Sequence, residues 1–388
     1  MSFDDRLAAA RDWIDRLVAI DTTSRNSNLA LIDIVEDHLA RLGARTRRTA
    51  DDTGEKANLV ATFGPNTEGG VVLSGHTDVV PVDGQDWSSD PFRIEVRGGR
   101  LYGRGTSDMK SFLAIALAEA EDFAATDLAR PVSIAFTYDE EIGCLGAPRL
   151  IEDLVREGPR PGAVIVGEPT MMKVIDGHKG IAVHRVAVRG AETHSSQTGR
   201  GVSAVMAAAT LIGVVERMNA ARAAAADPAS PFDPPHTTMT CNVVRGGTQA
   251  NIMAGECVFD WDLRSIPGDD PDAALAEFAE AARAVEAEMR AIDPRCSVTV
   301  ERVANAPSLA PAPSNPAAEL AFALTGENAS GAVAYAAEAG QYQEAGLPVV
   351  VCGPGSIDQA HQPDEFIALD QVAAGVRFMG RLRERLKR

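Results

Sequence analysis

The apolar positions of this chain follow two rhythms. Four segments are short, continuous and β-rich, and each runs at once into a polar, glycine-containing turn. They are "GGVVLSGHTD" (69–78), "PVSIAFTYDEE" (131–141), "GAVIVGEPT" (162–170) and "LPVVVCGPGSIDQAH" (347–361). Unbroken apolar strands of this kind are buried on both faces, as in parallel sheets. Between them apolar residues recur at helical spacing, in "SDMKSFLAIALAEAEDFAA" from Ser107 and "APRLIEDLVREG" from Ala147. Alternating strand and helix predicts an open, largely parallel α/β sheet with helices on both sides.

The middle of the chain has another order. From about Ile181 to Ala304 it reads strand "IAVHRVAVRG", a helix through "VSAVMAAATLIGVVERMNAARAAA", two strands around "RGGTQANIMAGE", helix "DAALAEFAEAARAVEAEMRAI" and strand "CSVTVERV". That is β-α-β-β-α-β, the ferredoxin-like pattern of a small α+β domain. The parallel pattern resumes after the Pro-rich "APSLAPAPSNPA". The expected organisation is therefore one domain of residues 1–180 and 305–388, with 181–304 inserted into it.

A length of 388 residues exceeds what one hydrophobic core usually spans, in keeping with two domains. The net charge of −18 argues against sequence-independent nucleic-acid binding, which needs a basic footprint. No uncharged apolar run is long enough to predict a membrane span. The start, "MSFDDRLAAARDWIDRLVAI", has acids where a signal peptide needs a basic region, and reads as an amphipathic helix. Five scattered cysteines without a CxxC pattern are expected to be reduced thiols, which points to the cytoplasm.

In open α/β sheets, ligands bind beyond the carboxyl ends of the strands. The four apolar runs end in His76 with Asp78, Glu140 with Glu141, Glu168, and His361, and Asp108 adds a fifth place at the start of a helix. Each has a plainer reading. Asp108 can be a helix N-cap, His76 and His361 loop histidines, Glu168 a turn residue before Pro169, and Asp139–Glu140–Glu141 a solvated loop. Coincidence at all four strand ends favours one site over separate explanations. Three acids closing a buried strand also repel one another and lose hydration, which a bound cation offsets.

Two imidazoles and several carboxylates, with no thiolate, suit Zn²⁺ or a similar borderline divalent ion in a hydrolytic site. There is no HExxH helix. The donors outnumber what one tetrahedral ion with an open position uses, so two ions sharing one carboxylate are expected. Other chemistries lack their motifs. "GRGTSDMK" is neither a complete GxGxxG nor a Walker A loop, and no GxSxG elbow occurs.

"GHTDVVP", "GRGTSDMKS", "YDEEIGCLG", "GEPT" and "AHQPDEF" occur in this order. As a set they resemble the motifs of the di-zinc aminoacylase and carboxypeptidase family, and the resemblance covers essentially the whole chain. It implies that His76 and Glu168 hold one zinc and Glu141 and His361 the other, with Asp108 bridging and Co²⁺ as a substitute. It implies that Asp78 orients His76 and that Glu140 is the general base of a metal-assisted amide hydrolysis. Adjacent side chains on an extended segment diverge, which lets Glu141 face a metal while Glu140 faces a water. Asp139 is left as a turn acid or one that supports the ligands from behind.

The inserted domain resembles that family's lid and dimerisation domain, which implies a homodimer. There the resemblance implies that His194, in "ETHSSQTGRG", stabilises the oxyanion, in this family usually from the partner subunit. Asn251, in "GGTQANIMAG", and Arg264, in "WDLRSIPG", are expected to engage substrate, with a turn residue and a surface ion pair as their plainer readings. Within the family, residues 337–366 look most like members that deacetylate N2-acetyl-L-ornithine in arginine biosynthesis, with Glu338 reading the substrate's amino group. Succinyl-diaminopimelate, other N-acyl amino acids, dipeptides and a non-catalytic role are the alternatives. His178 is read as a hinge or packing residue, and His38, His184 and His236 as structural.

Overall fold

The computed structural model describes residues 1–388, in two compact units. One comprises Met1–Gly177, Pro311–Ala332 and Ala337–Arg388, and the other His178–Ala310 with Val333–Ala336. The second unit is wider than the expected 181–304, for a reason in the backbone. His178 and Leu309 exchange hydrogen bonds at 3.1 and 3.0 Å, and the Lys179 N–H donates to Val333 O at 3.3 Å. The pairing therefore continues beyond the strands that the apolar pattern marks.

The four apolar runs become adjacent parallel strands of the first unit's sheet, in the order Val132–Thr137, Val71–His76, Ala163–Pro169, Val349–Gly353. Every residue in them is buried. Ala57–Phe63 and Arg45–Ala50 extend one edge antiparallel, and the short strands Ile175–His178 and Gly331–Val333 complete the other. Leu73, Ile134, Ile165 and Val350 are fully buried, and each such side chain contributes about 1.5–3 kcal/mol.

The first helix, Phe3–Val18, starts at a capping box in which Ser2 and Asp5 satisfy each other's backbone N–H. Its apolar stripe, Ala10, Trp13, Ile14, Leu17 and Val18, is buried. Its carboxyl end is closed from outside, because the buried Lys110 Nζ donates to Leu17 O at 3.0 Å and Ile20 O at 2.8 Å. The helix that begins at Lys110 lies close under the sheet. A Cβ on Gly167 would stand 2.1 Å from the Phe112 ring, so only glycine fits beside Glu168.

The second unit is the expected β-α-β-β-α-β. Its antiparallel sheet runs Thr238–Gly246, Glu256–Arg264, Ile181–Arg189, Ser297–Ala306, and its helices are Ala204–Ala224 and Pro271–Ile292. Alternate residues of the central strands, including Val186, Val188, Phe259, Trp261 and Leu263, form a core with Leu211, Val215 and Phe278. Helix Ala204–Ala224 is long and apolar enough by composition to cross a membrane, which the absence of an uncharged run did not anticipate. Its buried positions, Ala208, Leu211, Val215 and Met218, belong to that core.

Candidate metal centre

Neighbouring parallel strands lie about 4.8 Å apart, so groups at their carboxyl ends converge. His76 closes its strand, and its Nε2 lies 3.0 Å from Asp108 Oδ1 and 3.8 Å from Glu168 Oε1. His361 Nε2 lies 3.4 Å from Asp108 Oδ2 and 3.0 Å from Glu141 Oε2. Two groups of candidate ligands result, His76–Asp108–Glu168 and Asp108–Glu141–His361, with Asp108 common to both. Asp108 is not the helix cap, since the helix starts at Lys110 with Met109 in the cap position.

The orientation of His76 has a main-chain cause. Its Nδ1 lies 2.9 Å from Asp78 O. A carbonyl accepts only from a protonated nitrogen, so Nε2 is the atom left to ligate. The Asp78 carboxylate also faces that nitrogen, at 3.5 Å, and has further partners. It accepts from Ser24 Oγ at 2.7 Å and from the backbone N–H groups of Glu140 and Glu141 at 3.1 and 3.3 Å. Asp78 thus holds both the imidazole, as expected, and the acidic loop.

That loop is not the extended segment expected from the sequence. Asp139 is left-handed, with φ +56°, and Gly143 and Cys144 donate to Glu140 O at 2.9 and 2.8 Å. Glu140 opens a turn that carries Glu141 within it. Asp139 itself pairs with Lys56 Nζ, so it is both a turn residue and an ion-pair partner. The Cys144 thiol donates to Glu140 Oε1 at 3.4 Å.

The electrostatics of the cluster are those of uncompensated acids. Burial, reinforced by neighbouring carboxylates, pushes Glu140 and Glu168 well above the usual carboxylate range. Burial and Asp108 push Glu141 up to about 7. Burial opposes charge on His76, yet its contacts with Asp108 and Asp78 raise it well above its ordinary value. Hydrogen bonds to Asp108 and Glu141 push His361 up to about 10. Glu168 Oε1 is buried without a hydrogen-bond partner. Converging imidazole nitrogens and carboxylate oxygens, with more negative charge than their own surroundings neutralise, are the donor set of a cation site.

Glu338 belongs to the same unit and is 1% exposed, with neither carboxylate oxygen hydrogen-bonded. Burial pushes it up to about 7. His194, Asn251 and Arg264 belong to the other unit. There His194 and Asn251 are neighbours, since Ser195 N donates to Asn251 O at 3.0 Å and His194 bridges to Ile252. Arg264 ends its strand with Nε donating to Asp262 at 3.0 Å. His178 is fully buried, His38 packs edge-on to Trp13 and His184 stacks on Trp261.

Residues 72–385 match the sequence profile of Peptidase family M20/M25/M40. The chain belongs to this family. Among curated relatives, the acetylornithine deacetylase of Myxococcus xanthus is 34% identical over 381 residues, covering 95% of each chain. That of Pasteurella multocida is 34% identical over 356 residues, covering 91% of this chain and 90% of its own. The fold is that of the M20 metallo-carboxypeptidase Sso-CP2 from Sulfolobus solfataricus, with a TM-score of 0.77 at 15% identity over 97% of this chain and 98% of the other. The chain is thus a hydrolase of the M20 amidohydrolase and metallopeptidase group, acting on a small-molecule substrate, with two candidate metal-ligand groups.

Several residues around the centre carry no signal as ligands and were not singled out in the sequence. Glu365 and Arg104 form a buried ion pair at 2.7 Å, Gln85 donates to His361 O at 2.8 Å, and Ser24 donates to Asp78 at 2.7 Å. A signal was present: Glu365 follows His361 by four residues and Arg104 precedes Asp108 by four, both in motif segments.

Proposed function

We propose that this chain hydrolyses the amide bond of N-acyl amino acids, N2-acetyl-L-ornithine first among them, at a di-metal centre. The observation that carries this reading is the pair of ligand groups sharing Asp108, with Glu140 beside them in the acidic loop. His76, Asp108 and Glu168 would hold one ion, and Asp108, Glu141 and His361 the other. Imidazole and carboxylate donors without a thiolate suit Zn²⁺ and accept Co²⁺ as a substitute. Bound there, such ions polarise the amide carbonyl and lower the pKa of water.

The chain's own residues divide the remaining work. Glu140 accepts the proton of the attacking water and returns it to the leaving amine, a contribution of roughly 10²–10⁴-fold. Asp78, through the Glu140 N–H, keeps that carboxylate in place. Glu338, buried with two unpartnered oxygens, meets the substrate's side-chain ammonium. His194 donates to the developing oxyanion. Asn251 and Arg264 bind the substrate, and the contact of Arg264 with Asp262 engages only Nε, leaving its terminal nitrogens for a carboxylate.

The acetyl-ornithine reading is supported by relatives that carry that activity in their names at 34% identity. Assembly as a homodimer through the second unit is part of the same proposal. Its edge strand Thr238–Gly246 leaves Val243 and Val244 37% and 57% exposed, and Met206 on the adjoining helix is 69% exposed. A panel of N-acetyl, N-succinyl and dipeptide substrates tests the specificity. The acetyl amino acids are expected to lead, and a preference for dipeptides would overturn the assignment.

A further inference from the structure

The two candidate ligand groups are built differently. His76 and Glu168 sit within strands of the central sheet, where neighbouring strands hold the backbone. Glu141 follows a left-handed turn, and His361 lies in a loop, itself left-handed at φ +64° with its side chain 52% exposed. A site on loops is as precise as whatever supports the loops.

The support converges on one carboxylate. Glu365 is 1% exposed and accepts four hydrogen bonds. Its Oε1 accepts from the backbone N–H groups of Ser107 and Asp108 at 2.8 and 3.0 Å. Its Oε2 accepts from Gly105 N at 3.0 Å and from Arg104 Nη1 at 2.7 Å. Gly105 is left-handed at φ +83°, and a Cβ there would stand 2.8 Å from Val79, so the loop can turn its N–H groups toward Glu365 only with glycine. Arg104 returns the connection, donating from Nη1 to Gln362 O at 3.3 Å and from Nη2 to Gln85 Oε1 at 2.5 Å. Gln85 Nε2 then donates to His361 O at 2.8 Å. One network therefore grips the backbone of Asp108 and the backbone of His361, and none of its members is a ligand.

We propose that Glu365 is a positioning residue that sets the spacing between Asp108 and His361, and so the affinity of the Asp108–Glu141–His361 group for its ion. The proposal rests on the two-ion reading above. Charged partners one step behind metal ligands typically govern affinity by about 10–100-fold. The His76–Asp108–Glu168 group keeps its strand-held imidazole and carboxylate and depends on the network much less.

The test is a stepwise Zn²⁺ titration of the chelator-stripped full-length protein, with a competing chromophoric chelator and a count of bound zinc. Glu365→Gln replaces two acceptors with one acceptor and one donor facing N–H groups. Wild type is expected to bind two ions, and Glu365→Gln to keep one at wild-type affinity and bind the other at least about 10-fold more weakly. Glu119→Gln is the matched control, since Glu119 is equally buried and paired with Arg383 at 2.9 Å in helices away from the site. It is expected to lower thermal stability while keeping both affinities. Gln85→Ala, a change in a loop that leaves the ion pair intact, is expected to weaken the same single ion by a smaller factor, and serves should Glu365→Gln not fold.

Unchanged affinities in both Glu365→Gln and Gln85→Ala would overturn the proposal. So would equal weakening of both ions, or a pattern matching that of Glu119→Gln. Wild type binding fewer than two ions would overturn the two-ion reading, and the clamp with it.

Discussion

The backbone N–H of Glu140 donates to Asp78 Oδ1 at 3.1 Å, tying the acidic loop to the strand end that carries His76. The companion bond from Glu141 N to Asp78 Oδ2, at 3.3 Å, makes Asp78 the one group that orders both acids. Removing it in Asp78→Ala is expected to lower kcat about 10–100-fold with little change in KM. Steady-state kinetics on the acetylated substrate check this, and a loss confined to KM would assign Asp78 to binding.

Glu140 is expected to act on a proton and to hold no ion. Glu140→Ala should retain two zinc ions per chain by mass analysis while turnover falls roughly 10²–10⁴-fold. Concurrent loss of zinc would move Glu140 into the ligand set.

Glu338 is buried with both oxygens unpartnered, which suits a cationic substrate group. A hydrogen bond to a charged group contributes about 1.5–3 kcal/mol, so Glu338→Gln should raise KM for N2-acetyl-L-ornithine roughly 10–100-fold. N-acetyl-norvaline, which lacks the amine, should show no such rise. An unaltered KM for the ornithine derivative would remove Glu338 from substrate recognition.

His184 makes a prediction away from the site. It is fully buried against Trp261, ring centroids 4.3 Å apart, with both ring nitrogens unpartnered. Burial, with the Arg302 charge adding to it, lowers its pKa from 6.5 to about 4. The unfolded chain therefore binds more protons than the folded one between these values. Its contribution to stability is complete above about pH 6.5 and declines as the pH falls toward 4. His184→Phe should show a shallower fall of Tm across that window than wild type. Parallel curves would show that His184 does not titrate there.

The parallel core was legible because its strands are buried on both faces, so Val71–His76 and Ala163–Pro169 leave no polar alternation to confuse them. Convergence of His76, Asp108, Glu141, Glu168 and His361 followed from strand ends being neighbours in such a sheet. Three things were not legible. The turn that starts at Glu140 replaces the extended geometry expected of Glu140 and Glu141, because it is closed by main-chain bonds from Gly143 and Cys144 that no side-chain alternation reveals. Asp78 acts through acceptors that reach Ser24 and a loop more than 60 residues away, which spacing along the chain does not reveal. Glu365 sits in the same motif as His361, and its partners at Arg104 to Asp108 lie about 260 residues earlier.

The groups sharing Asp108 are expected to form a zinc-dependent amide-hydrolysing centre. Acetate release from N2-acetyl-L-ornithine tests it most directly, measured after chelation and again after zinc is restored, with succinyl-diaminopimelate alongside. Hydrolysis of the acetyl substrate is expected to disappear on chelation and return with zinc. Hydrolysis of the succinyl substrate alone would keep the centre and overturn the specificity. Acetate release that survives complete removal of metal would show that the Asp108 groups are not a metal-dependent hydrolytic centre.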